Sequence, residues 1–427
     1  MTHRRHRQVA DFPKCACLGS LLLAACAGDG TGGMGSPGAA RRVTLTGRAA
    51  GGVPTALTWV AFQDGDGPWQ RASDSAGVYT FDALSGRYNA AFVCATDTVR
   101  SGEVIAAAVA ELDTIEVPCP VALPGAARLR WSGTLTGIAA GLGDLPDVTF
   151  SSKEGGATRA LVSSDGSSYT IDLPAGTYDL VTSVAGNRLN VKRDIRITAA
   201  GSTNVDFSTG TVMAKSQPLP AIAADAQESL ETGAFFTSAR GVRVDLFAPK
   251  GSVALLDPAD LGPGDTQQIY GEARGAKSAF RGFFRAVPGG PVPALALPPP
   301  LGGASAVPVT GVQPPLYVRP RISFDAYPNV RFYQANIFTD LPDMFVWVMN
   351  VGPQWLAGRT SFELPDWTGV AGWNPAWGPP LDRPLAALVT AVAGNRGFGP
   401  ILHDLPPSPG DEIGYGKEAF TITVSRP

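Results

Sequence analysis

The chain has 427 residues, a length that accommodates two to four domains of ordinary size. Glycine and proline together exceed a fifth of the residues, which favours short strands joined by many turns over long helices. The formal net charge of −3 provides no basic surface of the kind that binds nucleic acid, so we expect no nucleic-acid partner.

The N-terminus predicts an export signal. A basic segment, Met1–Lys14, precedes an apolar run of about ten residues, which is about half the length needed to cross a bilayer. The run ends in Leu23-Ala24-Ala25-Cys26, which resembles the lipobox of bacterial lipoproteins. The resemblance implies that residues 1–25 are a removed signal peptide and that a lipid on Cys26 anchors the protein to a membrane. The alternative is an ordinary signal peptide cut near Ala25.

The residues that follow predict an extracytoplasmic location. Ala27 carries no inner-membrane retention signal of the enteric type, so the lipoprotein resemblance implies the outer membrane rather than the inner one. Residues 26–41 are rich in glycine and read as a flexible tether. Once Cys26 is acylated, Cys94 and Cys119 remain, and a pair in an exported protein predicts a disulfide. A buried pair of free thiols is the alternative.

Residues 42–120 and 127–212 form an internal repeat. Tyr-Thr-Phe at 79–81 and Tyr-Thr-Ile at 169–171 alternate apolar and polar residues, as a strand with one buried face does. Each is followed at the same spacing by Gly-x-Tyr, at 86–88 and 176–178, which marks a turn and the next strand. Val43, Leu45 and Gly47 are matched to Leu129, Trp131 and Gly133.

This pattern resembles the carboxypeptidase regulatory-like (transthyretin-like) family of β-sandwich domains. The resemblance covers about 170 residues and implies an antiparallel, Ig-like sandwich for each repeat. It brings no catalytic residues with it, since such modules commonly serve as spacers or adhesive units. We therefore expect an all-β protein with two tandem sandwiches and a further β-domain at the C-terminus.

The C-terminal half is harder to divide. The segment 213–315 contains one alternating stretch, Val242–Phe247, and a Pro-rich stretch, 288–315, that is expected to be a linker or a long surface loop. Residues 316–427 are expected to form the further β-domain. Its predicted strands are Arg331–Phe338, Met344–Val351 and Phe420–Val424.

Five tryptophans fall within about thirty residues of this last region. In one interpretation loop residues form a flat platform that stacks on sugar rings, because aromatic faces offer large apolar area at low entropic cost. The platform residues are Trp367, Trp373, Asn374 and Trp377. In the competing interpretation the rings are core residues, which is what we expect of Trp347 on its strand.

Candidates for catalysis are few. After the signal segment the only histidine is His403, in a turn-like setting before prolines. The chain contains none of the common hydrolase, zinc-protease or nucleotide-binding motifs. The sequence Asp64-Gly65-Asp66-Gly67 has turn composition and lacks the later glutamate of a calcium loop. We therefore predict no catalytic residues, no metal site and no cofactor.

Three functions remain in competition. The favoured one is a non-catalytic lipoprotein that acts as a spacer or adhesion-like interaction module and binds another envelope protein. The second is a protein that binds envelope polysaccharide through the C-terminal aromatic region. The third is a hydrolase that uses paired carboxylates, since glycosidases need only two.

Overall fold

The computed structural model describes residues 41–48, 54–95, 99–119, 127–138, 145–152, 156–184, 187–275, 279–309, 316–339, 344–403 and 405–423. The expected all-β fold is confirmed, with 55% strand and 4% helix. Residues 1–40, including Cys26 and the predicted signal peptide, lie outside the described part. No helix among the described residues is long and apolar enough to span a bilayer.

The described residues of the first repeat form eight strands. They are β1 (Arg41–Arg48), β2 (Trp59–Asp64), β3 (Gln70–Arg71), β4 (Asp74–Ser75), β5 (Val78–Ala83), β6 (Arg87–Ala95), β7 (Val99–Ala108) and β8 (Thr114–Pro118). One sheet has the order β4-β5-β1-β8, and the facing strands have the order β7-β6-β2-β3. A buried core that includes Val43, Leu45, Tyr79 and Tyr88 fills the space between the two layers.

In the second repeat, the part of the chain that the structure describes forms ten strands. They are β9 (Leu129–Thr136), β10 (Asp147–Ser152), β11 (Gly156–Arg159), β12 (Leu161–Val162), β13 (Ser168–Leu173), β14 (Gly176–Val184), β15 (Arg188–Ile197), β16 (Gly201–Ser202), β17 (Val205–Asp206) and β18 (Thr211–Met213). Two sheets, β12-β13-β9-β16 and β11-β10-β14-β15-β18, enclose a separate core around Phe150, Tyr169 and Tyr178.

The two repeats share a strand order, but their first strands, β1 and β9, match with an offset that differs by two residues from the expected one. Val43 pairs with Phe81 in the first repeat, whereas Trp131 pairs with Ile171 in the second. Val43 therefore corresponds to Trp131 rather than to Leu129. A shift of two residues keeps every side chain on its own face of the strand, so hydrophobic alternation alone does not reveal it.

The remaining strands occupy residues 215–422. They are β19 (Lys215–Pro218), β20 (Ser229–Thr237), β21 (Arg243–Leu246), β22 (Ser252–Leu255), β23 (Thr266–Arg274), β24 (Ala279–Val287), β25 (Ser305–Pro308), β26 (Pro320–Ser323), β27 (Val330–Thr339), β28 (Met344–Val351), β29 (Ser361–Glu363), β30 (Leu385–Gly394) and β31 (Glu412–Ile422). The described ranges also contain two helices, α1 (Pro353–Leu356) and α2 (Phe398–Leu402), and two 3-10 turns, Pro258–Asp260 and Pro375–Trp377.

The expected strands and linker need adjustment in this half. The last strand begins at Glu412, eight residues before the expected start at Phe420. The Pro-rich stretch is not a free linker, because it contains β25 and buries Leu295 and Leu301. Glycines on β31 leave room for it, since a Cβ on Gly416 would lie 2.8 Å from the backbone nitrogen of Leu301.

One sheet of twelve strands joins the first repeat to the C-terminal half. Its order is β21-β20-β23-β24-β31-β30-β27-β28-β7-β6-β2-β3. The connection is the parallel pair of β28 and β7, in register from Met344 opposite Val99 to Val351 opposite Ala106. We call this pair the seam. The sheet therefore crosses the boundaries placed at residues 120 and 316, although the division into modules stays a prediction.

Side chains strengthen the seam near the end where Val351 lies opposite Ala106. Glu111, just after β7, accepts hydrogen bonds from the backbone N–H groups of Ala108 and of Gln354 in α1. Asn350 donates through Nδ2 to Glu103 Oε1 at 2.6 Å across 247 residues of sequence. Burial of Glu103 raises the pKa of its carboxyl to about 7, although the hydrogen bond from Asn350 works to lower it.

The predicted disulfide is confirmed in the first repeat. Cys94 on β6 is bonded to Cys119, the residue after β8, with Cα atoms 5.6 Å apart. The bridge therefore ties the two layers of the sandwich together. Closing a loop of 25 residues stabilises the fold by roughly 3 kcal/mol in the chain-entropy model.

The pKa of Glu103 predicts a pH dependence of stability. The folded value lies above the unfolded one, so the native state keeps a proton that the unfolded chain releases from about pH 4.5 upwards. The free energy of unfolding should therefore fall as the pH rises through about 7. Glu103→Gln should remove that fall and raise the free energy of unfolding at pH 8 by on the order of 1–2 kcal/mol. This value is smaller than the full pKa shift would give, because the side chain is partly exposed to solvent.

Urea unfolding between pH 4.5 and 8 measures the effect. The exposed Glu231→Gln provides the matched control and should leave the pH profile unchanged. A profile of Glu103→Gln parallel to that of the wild type would contradict the assignment.

Candidate functional site

Six of the eight tryptophans gather on one face of the twelve-stranded sheet, beside the seam. Two come from the first repeat and four from the C-terminal half, and their ring centroids lie 4.8–6.2 Å from the nearest partners. We call this set the tryptophan cluster; its members are Trp59, Trp69, Trp347, Trp367, Trp373 and Trp377. The cluster packs the two parts of the chain against each other.

The cluster contains three of the four residues predicted to form a ligand platform. Trp367 is fully buried, so its ring offers no face to a ligand and belongs to the core. Trp373 and Trp377 are partly buried against the same core. Asn374 is exposed, and its Oδ1 accepts the backbone N–H of Ala376, so it caps the 3-10 turn that carries Trp377. A ligand role for these last three residues stays a prediction.

Trp347 is buried as expected, and its position depends on a glycine across the seam. A Cβ on Gly102 of β7 would lie 2.4 Å from the indole ring of Trp347, so only glycine leaves space for the ring. Trp347 donates through Nε1 to the carbonyl oxygen of Trp377 at 2.7 Å. The polar atom of this buried ring is therefore satisfied.

A cleft of about 420 Å³ opens next to the cluster. The first repeat supplies Trp69 and part of the floor, from strands β2, β6 and β7. The C-terminal half supplies Trp355 at the end of α1, together with residues of β28 and β29 and the segment that follows. Neither part forms the cleft alone, so the seam is a condition for its existence.

The floor of the cleft carries two ordered amides. Asn89 is 5% exposed and donates through Nδ2 to Gln63 Oε1 at 2.7 Å. Gln63 donates in turn to the carbonyl oxygen of Gly67 at 2.6 Å. Side-chain amides that are held in place offer fixed donors and acceptors to a polar ligand.

Two arginines line the wall. Arg359 lies over the ring of Trp355, with its guanidinium carbon 4.3 Å from the centroid, and donates to the carbonyl oxygens of Trp355 and Leu356. This contact holds the indole in one orientation. Arg319 donates to the carbonyl oxygen of Leu364 and lies 3.4 Å from Asp366 Oδ2.

Asp366 stays ionised in this setting. Burial works to raise its pKa, but hydrogen bonds from Thr368 and the charge of Arg319 outweigh burial and leave the pKa below its usual value. A carboxyl group of that kind does not hold the proton that a general acid must deliver near neutral pH. Asp366 is therefore suited to binding rather than to donating a proton.

The other sequence candidates have structural roles. His403 Nε2 lies 2.9 Å from the carbonyl oxygen of Thr114, which joins the end of α2 to β8. Asp64 Oδ1 accepts hydrogen bonds from the N–H and hydroxyl of Ser85, so this carboxylate closes a turn. Within the described ranges, no group of three or more His, Cys, Asp or Glu residues could hold a metal.

Sequence reasoning missed most of the cleft. Trp355 is one of the five tryptophans near the C-terminus, but its place in the sequence does not connect it with a site. Asn89 had a usable signal, since it stands between Tyr88 and Ala90 and every later residue of its strand is apolar. Trp69 had no such signal, because its neighbour in space, Trp367, is about 300 residues away in sequence.

Comparison with known proteins adds little. No protein-family model matches the chain, and no curated protein matches it in sequence. The resemblance of the repeats to the carboxypeptidase regulatory-like family therefore stays a resemblance.

Solved structures match only at low similarity. The Bacillus anthracis TIE protein is 13% identical, with 58% of this chain and 45% of that one covered and a TM-score of 0.15, so the match spans less than half of its length. A candidate carbohydrate-binding protein from Bacteroides uniformis ATCC 8492 is 9% identical, with 69% and 98% covered and a TM-score of 0.16. A tetra-tandem repeat from the extending region of a large adhesion protein is 12% identical, with 90% and 100% covered and a TM-score of 0.14. TM-scores this low carry no argument about fold or function.

The burial of Trp367 predicts a structural role for this residue. Trp367→Ala should lower the free energy of unfolding by about 3–5 kcal/mol, the usual cost of removing a fully buried aromatic ring. Urea unfolding measures the loss. Trp377→Ala, which removes a partly buried ring of the same cluster, should cost less. A loss below about 1 kcal/mol for Trp367→Ala would mean that the ring is not part of the core.

Proposed function

We propose that this protein is a non-catalytic, extracytoplasmic binding protein that takes a polyhydroxylated ligand, a segment of envelope polysaccharide, in the cleft beside the tryptophan cluster. The observation that carries the proposal is the composition of the cleft. Its walls present Trp69 and Trp355, and its floor presents the ordered amides of Gln63 and Asn89. Apolar ring faces stack on the carbon faces of a sugar, and amides hydrogen-bond its hydroxyl groups.

The extracytoplasmic setting is supported by the disulfide, since such bonds persist in oxidising compartments and are rare in the cytosol. Membrane attachment through Cys26 rests on the lipobox alone and is part of the proposal. The outer membrane is the favoured location because Ala27 carries no inner-membrane retention signal of the enteric type. In this view the first repeat is both a spacer above the tether and one wall of the cleft.

A hydrolase is less well supported. The carboxylates at the cleft are engaged by arginines: Glu363 lies 2.5 Å from Arg321, and Asp366 lies near Arg319. A retaining or inverting glycosidase needs one carboxyl group that holds a proton and a second that is free to act on the sugar or on water. Binding without turnover is the simpler use of this geometry.

Cleft binding predicts a specific loss in two variants. Trp355→Ala and Trp69→Ala each remove an aromatic wall, so each should weaken ligand binding in the cleft at least tenfold, which corresponds to about 1.4 kcal/mol. Isothermal titration with neutral hexasaccharides, cellohexaose and maltohexaose, and with soluble peptidoglycan fragments provides the measurement. Phe247→Ala removes a ring that is 78% exposed elsewhere and should bind normally. Unchanged affinity in both tryptophan variants would contradict the proposal.

The lipid anchor predicts a change of compartment. Cys26→Ala removes the thiol that takes the lipid, so the protein should move from the membrane to the soluble fraction of cells that express it. Fractionation followed by immunoblotting provides the readout, with Cys94→Ala as a control that keeps the lipobox. If Cys26→Ala sediments with membranes as the wild type does, the protein is not anchored through this residue.

A further inference from the structure

The twelve-stranded sheet has a second face that lies opposite the tryptophan cluster and the cleft. Along β23, and along β27 from Tyr333 onwards, buried residues alternate with partly exposed ones. On β28 and β30 the second face is partly covered, since Asn350, Thr390 and Val392 are buried there. The buried residues include Ile269, Ala335, Met349 and Val389, and they face the cores. The alternate residues form the other side, which we call the open face. Antiparallel sheets commonly bury one face and expose the other.

One half of the open face is aromatic. Phe235, Tyr270, Phe284 and Tyr415 stand on four adjacent strands, with centroids 5.8–6.5 Å apart. Tyr270 and Tyr415 lie over glycines of the neighbouring strands, since a Cβ on Gly233 or Gly282 would lie 2.6 or 2.5 Å from their phenol oxygens. Rings that cover glycines in this way lie across the sheet and make its surface flat.

The other half carries a ladder of side-chain amides. Asn336 donates to Gln334 at 3.0 Å, Gln334 donates to Asn350 at 2.9 Å, and Asn350 donates to Glu103 at 2.6 Å. The hydrogen bonds run in one direction across three strands, so each polarises the next. Asn350 is buried and Glu103 is largely buried, so the ladder presents only its partly exposed end, Gln334 and Asn336, beside the aromatic half.

The charges on the open face are paired. Arg243 stacks on Phe235 and lies 3.8 Å from Asp245. Arg274 and Lys417 lie 3.0 and 2.9 Å from Glu272. A polyanion would find no excess of cations here, and a polycation would have to displace existing ion pairs. Charge complementarity therefore favours an uncharged ligand.

We propose that the open face is a second binding site, for a segment of uncharged polysaccharide that lies across the strands. The strands from β20 to β28 span roughly 30 Å at their usual spacing, which is the dimension of a chain segment rather than of a single sugar. The partly exposed rings of Tyr270, Phe284 and Tyr415 would stack on sugar faces. Gln334 and Asn336 would hydrogen-bond hydroxyl groups. Phe235 is 4% exposed beneath Arg243 and would support the row without contacting the ligand. A partner strand is a poorer fit, because it pairs with backbone groups at a sheet edge and not with a face.

The second site does not depend on what the cleft binds, since the two share no residue and lie on opposite sides of one sheet. Two sites on one rigid sheet make the chain divalent. A divalent protein holds two polymer segments together and gains avidity for a polymer surface. The inferred activity is therefore the non-covalent crosslinking of envelope polysaccharide.

The test counts the sites on the full-length protein. Isothermal titration with cellohexaose and maltohexaose should give two molecules bound per chain for at least one of them. The double variant Phe284→Ala/Asn336→Ala should lose one of the two, with at least tenfold weaker affinity at that site. Trp355→Ala should lose the other, which separates a failure of this proposal from a failure of the cleft.

Two further measurements test the same site with a milder variant and with a charged ligand. Asn336→Asp keeps the size of the side chain, removes its donor group and adds a charge, so it should weaken the same site even if the double variant folds poorly. A charged probe, hexagalacturonate, should bind less tightly than the neutral sugars. One site per chain that disappears with Trp355→Ala, no binding of either neutral sugar, or preference for hexagalacturonate would each overturn the proposal.

Discussion

The parallel pairing of β7 with β28 is the interaction on which the rest of the molecule depends. It joins strands that are about 250 residues apart and turns half of the first sandwich into the end of a twelve-stranded sheet. Backbone hydrogen bonds alone do not select this partner, because any exposed edge strand offers the same groups. Selection comes from side chains that fit only here, such as Trp347 over Gly102 and Asn350 against Glu103.

Much of the secondary structure could be predicted from the sequence, whereas the partners of the strands could not. Alternation at Tyr79–Phe81 and at Met344–Val351 specifies strands and faces, since the pattern is local. It does not specify neighbours, so the first repeat and the C-terminal half were expected to be separate modules. The offset between Val43 and Trp131 has the same origin, because a two-residue slip preserves the pattern.

The candidate site could likewise be predicted only in part from the sequence. Tryptophans are dense near the C-terminus, but composition does not distinguish a stacking surface from a core. Trp367 is buried because Trp59 and Trp69 of the first repeat pack against it, and the seam brings the two parts of the chain together. The cleft could not be predicted either, since Asn89 and Trp355 become neighbours only after the seam has formed.

The composition of the open face is not explained by packing alone. An antiparallel sheet is stable with one face in water, and polar residues usually occupy that face. Here Tyr270, Phe284 and Tyr415 occupy it in a row, and the two tyrosines lie over glycines that weaken the strands intrinsically. Local stability would be served as well by threonine or valine, which need no glycine opposite. An aromatic row beside the ordered amides of Gln334 and Asn336 is the composition that the proposed ligand would use.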